Sequence, residues 1–95
     1  MKHDINAALP AWMRLAIQAR ADREMMWHLV EFKQVETFAF SHYRDKSYDA
    51  AFMVGCLLPE ATVPRIIDID DELVQGFEQG QDIGRPSNRR ELAIA

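Results

Sequence analysis

The sequence predicts a mainly α-helical single domain, residues 1–95, of four or five helices with one short strand near residues 65–69. Three observations predict it. No glycine or proline falls between Ala11 and Tyr43. Residues 11–20 and 48–58 are rich in Ala, Met and Leu, which favour helix over strand. Asp70-Asp71-Glu72 stands directly before an apolar pattern of helical spacing, as at a helix N-terminus.

In chain order, Asp4 or Asn6 can cap a first turn, and Pro10 suits a first helical position. Leu9, Trp12, Met13, Ala16 and Ile17 lie to one side of the helix that follows. Run unbroken from Pro10 to Tyr43, that helix would be about 51 Å long at 1.5 Å per residue. A break is therefore expected near Ala21-Asp22, with Asp22 as N-cap of a second helix from Arg23 to about Ser41.

Five of the nine aromatic residues fall in Met25–Tyr43, so this stretch is expected at the centre of the domain. Met25, Met26, Leu29, Phe32, Phe40 and Tyr43 make one broad face, and Trp27, Val35 and Phe38 fall on another. Period-2 alternation leaves a strand over residues 35–43 as the alternative. Arg44-Asp45-Lys46-Ser47 reads as a polar turn, Tyr48–Leu58 as a third helix capped by Ser47 and ended by Pro59, and Glu60–Pro64 as a connector.

The β-branched, partly alternating Arg65–Asp70 reads as a strand or extended segment. A helix then runs from Asp70 to about Asp82 with Leu73, Val74 and Phe77 inward. Gly76 and Gly80 weaken it by about 1 kcal/mol each, and Gly84 is placed to close it in the left-handed conformation. Ser87 with Arg90-Glu91 can cap a last short helix to Ala95.

Charge is segregated. Residues 1–58 are neutral, residues 59–84 carry a net −6, and residues 85–95 carry +2, for −4 in all. That balance is unlike a general nucleic-acid binder. Cys56 is the single cysteine and lies in an apolar run, so it reads as a small buried hydrophobe in a chain without internal disulfides. No run approaches the ~20 apolar residues of a membrane span, and the N-terminus lacks a signal-peptide core. A soluble cytoplasmic protein is expected.

Catalytic chemistry finds no support in the residues. His3, His28 and His42 have no nucleophile in a recognisable context, and there is no glycine-rich phosphate loop. Glu24, His28 and Glu31 share a helix face, but matching metal ligands on a second helix do not stand out; they read as a solvated stripe or a Glu24–His28 pair. Neither metal nor cofactor is expected.

Residues 65–95 resemble the ribbon-helix-helix pattern: a short strand, an acidic helix start, a glycine turn and a polar helix with Arg and Glu-Leu. The resemblance covers about a third of the chain, in pattern only. It implies a dimeric DNA-binding regulator or antitoxin, with Arg85, Arg89 and Arg90 as nucleic-acid contacts. Asp68 departs from the pattern, since it would repel phosphate.

The preferred expectation is a small acidic, non-enzymatic regulator or inhibitor of phage or plasmid accessory type, acting by protein–protein binding and forming a homodimer through its central helix. The candidate contacts are Trp27, Val35 and Phe38 for an apolar partner. Asp68, Asp70, Asp71 and Glu72 are the candidates for a basic one.

Overall fold

Among the described residues the fold is built on three long α-helices: α1 (Ala11–Glu31), α2 (Phe38–Leu57) and α3 (Asp71–Gly84). The structure, a computed structural model, describes residues 8–85. The expected caps at Asp4 and Asn6 and the expected last helix to Ala95 lie outside the described residues. Within them the fold is mainly helical, with three helices where four or five were expected.

Helix α1 passes through Ala21-Asp22 without the expected break. Asp22 is buried and accepts a hydrogen bond from Gln18 Nε2 one turn back at 2.9 Å, so its carboxylate is satisfied within the helix instead of starting a new one. The chain reverses eleven residues later. Gln34 N–H donates to Leu29 O at 2.8 Å and Lys33 N–H to Val30 O at 3.0 Å. This pair of bonds is the Schellman closure, which needs a left-handed residue at its centre. Lys33 fills that position with φ 58°, where glycine is the usual occupant.

Thr37 then caps α2, its Oγ1 accepting from Phe40 N–H at 3.2 Å and donating to Gln34 O at 2.7 Å. Residues 35–43 are therefore a turn followed by helix, and the strand alternative does not hold. The polar stretch Arg44–Ser47 is helical as well: Ser47 is buried inside α2 and its hydroxyl donates to Arg44 O at 2.8 Å. Pro59 follows the end of α2 as expected.

Helices α1 and α2 form a hairpin whose shared face is built from small residues. Ala16 and Ala19 from α1 join Ala50, Ala51 and Val54 from α2 in a core completed by Ile67, Leu73 and Phe77. Helix α3 packs on another side of α2 and runs parallel to it, with Gly76 beside Tyr48, Gly80 beside Phe52 and Gly84 beside Cys56. This helix pair approaches at its backbones. A methyl group at Gly80 would overlap the Phe52 carbonyl, one at Gly55 would overlap the Phe77 carbonyl, and one at Gly84 would stand 2.7 Å from Cys56 O. Gly84 is the last helical residue and has negative φ, so it serves close approach and not the expected left-handed closure.

Because α2 and α3 are parallel, the chain must return along the pair between them. Residues 58–70 do this without a strand. Ile67 and Asp68 N–H both donate to Pro64 O at 3.1 Å, and Asp68 N–H also donates to Arg65 O at 3.2 Å, closing tight turns. No strand is present among the described residues for this segment to pair with. Its β-branched residues instead turn inward: Ile67 is fully buried, and Val63, Ile66 and Ile69 pack against the core. The expected strand near residues 65–69 is thus a buried crossover. Gln81, buried on α3, holds its start by donating from Nε2 to Leu58 O at 2.9 Å and Ala61 O at 2.6 Å.

Candidate functional site

Two parts of the surface gather the residues that the sequence singles out. The first is the tip where α1 meets α2. The apolar residues on either side of the Schellman turn lie in solvent. Phe32 is 71% exposed and Phe38 is 85% exposed, with Val30 and Val35 about half exposed beside them in sequence. The Phe38 ring stacks on His42 one turn later, centroids 5.9 Å apart and planes 18° from parallel. His42 also meets Tyr43 edge-on at 5.3 Å. Of the three residues expected to meet an apolar partner, Val35 and Phe38 lie on this tip, whereas Trp27 is half-buried on α1, a turn or more before it. Phe32 was expected on the core-facing side of one continuous helix. The helix ends at Glu31 with no glycine or proline to announce it, and nothing in the local sequence separates an outward Phe32 from an inward one.

The second part is an ionic knot where all three helices meet. Arg23 on α1 is only 2% exposed, and its Nη1 donates to Glu72 Oε1 at 2.9 Å. Its Nε lies 3.3 Å from Asp70 Oδ2, within ion-pairing distance but outside good hydrogen-bond geometry, and its Nη1 also approaches Met26 Sδ at 3.0 Å. Arg44 on α2 grips the same Glu72 with Nη2 at 2.8 Å and Nε at 3.1 Å. Hydrogen bonding from Arg44 is the largest influence on Glu72. It outweighs partial burial and, with Arg23, holds the carboxyl down to about 2 from an ordinary 4.5. Glu72 in turn raises the pKa of Arg44. Beside the knot lies an open depression of about 400 Å³ lined by Arg44, Asp45, Tyr48, Asp49 and Glu72. Tyr48 O–H donates to Gln79 Oε1 at its edge.

This knot divides the four acidic candidates. Asp70 caps α3, accepting from Leu73 N–H at 2.8 Å, and faces Arg23; Glu72 is held by two guanidinium groups. Asp68 and Asp71 are exposed. Arg23 and Arg44 escape a reading of the sequence because their shared partner is 49 and 28 residues away. Among the nucleic-acid candidates, Arg85 pairs with Asp82 at 2.8 Å, and Arg89 and Arg90 lie outside the described residues.

Glu24 pairs with Arg20 at 3.6 Å. No group of three or more His, Cys, Asp or Glu residues among those described is arranged to hold a metal ion. No described helix is long and apolar enough to cross a membrane. No protein-family model, curated protein or solved structure matches the chain.

Proposed function

We propose that the protein is a small non-enzymatic regulator or inhibitor that acts by binding another protein through the α1–α2 tip, in a cytoplasmic setting. One observation carries this reading: two phenylalanine rings stand mostly in solvent on either side of a turn closed by its own hydrogen bonds. They leave on the order of 300 Å² of aromatic surface uncovered. The largest apolar patch on a typical monomer is about 300–600 Å² and is often functional, and buried aromatic anchors carry most of the energy of protein interfaces. The core is complete without these rings, so folding alone does not explain them. The small size and segregated charge also parallel accessory proteins of phages and plasmids, by analogy only.

The test is an affinity capture from bacterial lysate with two baits, the wild-type chain and the Phe32→Ser/Phe38→Ser double variant. The wild-type bait is expected to retain protein that the folded variant loses. Identical retention by the two baits would defeat the reading.

A further inference from the structure

We infer that the α1–α2 hairpin opens at its turn, so that two copies of this chain exchange α1 and each α1 fills the place of the other's. The inference goes beyond the reading of the tip as a partner surface and does not depend on it.

The exchanged element is visible in the structure, because it is α1 itself. Helix α2, the crossover and α3 are joined to one another independently of it. Gly76, Gly80 and Gly84 lay α3 against α2, and Gln81 ties the crossover to α3. To this body α1 brings Ala16 and Ala19 for the core, and Arg23 for Asp70 and Glu72. The α1 of a second copy carries the same residues and makes the same contacts. Exchange therefore keeps the interface already present and needs no new complementary surface.

The turn governs whether α1 folds back on its own chain. It is short, residues 32–37, and its sequence holds no breaker: from Ala11 to Val54 there is neither glycine nor proline. The same residues are therefore free to continue the helix. Reversal instead requires Lys33 at φ 58°, the one non-glycine residue with positive φ among those described. A side chain is disfavoured in that conformation, and a short hinge under strain invites exchange. Against this, Thr37 holds the closed turn by capping Phe40 N–H and donating to Gln34 O. The two forms thus differ in the hinge, a turn in the monomer and helix in the exchanged dimer. Because α1 must leave its place before it can be exchanged, the dimer forms during folding at high concentration and then persists.

The test refolds the full chain from denaturant at low and at high micromolar concentration, dilutes it, and sizes it by gel filtration with light scattering, beside Lys33→Gly and Thr37→Ala. Wild type refolded at low concentration should be monomeric. Refolded at high concentration, it should yield a dimer that survives dilution. Lys33→Gly eases the turn and weakens the continuous helix, at both hinges of the dimer, so the association constant should fall on the order of a hundredfold. Thr37→Ala removes a cap that only the turn uses and favours helix, so the constant should rise about tenfold or more. A wild type that stays monomeric at every concentration overturns the inference. So does a dimer that comes apart at once on dilution, as a surface contact would, or one that Lys33→Gly does not weaken or Thr37→Ala does not strengthen.

Discussion

The aromatic stretch from Met25 to Tyr43 and the glycine-bearing helix α3 have exchanged the roles that their compositions suggest. The first has the most apolar bulk in the chain, yet Phe32, Val35 and Phe38 stand in solvent. The second has three glycines in fourteen residues and ought to be a poor helix by propensity alone. It nevertheless packs closely, with Gly76, Gly80 and Gly84 at four-residue spacing laid against α2. The contrast shows that small side chains build the centre of this domain. Ala16, Ala19, Ala50 and Ala51 work for α1 against α2 as the glycines work for α3 against α2. Bulk that does not fit between closely spaced helices is left at the end of the hairpin.

The comparison breaks most sharply at the glycine contact. Gly80→Leu would drive a side chain into the Phe52 carbonyl, where no flexible neighbour can yield. Overpacking against backbone should cost more than about 3 kcal/mol, read as loss of the cooperative melt or a large fall in denaturant midpoint. Next in size is the knot. Arg23→Met fills much of the buried volume but strips Asp70 and Glu72 of their shared cation. Breaking a buried pair costs about 3–5 kcal/mol; since both carboxylates here keep some exposure, about 2 kcal/mol is expected in chemical denaturation.

Glu72 gives that region a pH dependence. Its folded-state pKa of about 2 lies below the ordinary 4.5. Its contribution is therefore fully present above about pH 4.5 and is lost as pH falls toward 2. The gap in denaturant midpoint between wild type and Glu72→Gln should be wide at neutral pH and should narrow in acid. A gap that widened in acid would contradict the assignment. A smaller effect belongs to the turn. Lys33→Gly relieves a left-handed side chain. It should raise stability by up to about 1 kcal/mol, a gain of a few degrees in calorimetry.

How legible each element was follows from where its signal resides. The start of α3 was legible because an N-cap and its charges are local, and Asp70 caps as expected. The end of α2 was legible because Pro59 is decisive wherever it occurs. The reversal after α1 was not legible: its closure uses backbone bonds and a lysine at the position where glycine would have been the sign. Asp22, a good N-cap by type, drew the break forward by eleven residues from Lys33, yet it is satisfied by Gln18 within α1.

Residues 65–69 are β-branched and partly alternating, as in a strand. Whether such a segment pairs or plugs depends on a neighbouring strand, which a single stretch of sequence does not reveal. The glycines of α3 were visible as residues, but their purpose appears only with α2 alongside. The same holds for the candidate contacts. Val35 and Phe38 are picked out, with half-buried Trp27, from the azimuth of a helix that ends before reaching them, so their exposure owes nothing to that azimuth, and the engagement of Asp70 and Glu72 depends on Arg23 and Arg44 far away in sequence.

The central claim is that the aromatic tip is dispensable to the fold while the glycine contact is not. Its most direct test is the thermal unfolding of Phe32→Ser/Phe38→Ser at low protein concentration, where self-association plays no part. Exposed substitutions of this kind change stability by about 0.5 kcal/mol or less. The double variant should therefore melt cooperatively within a few degrees of the wild type. A melting temperature that collapses as Gly80→Leu is expected to do would place the rings in the core and contradict the account.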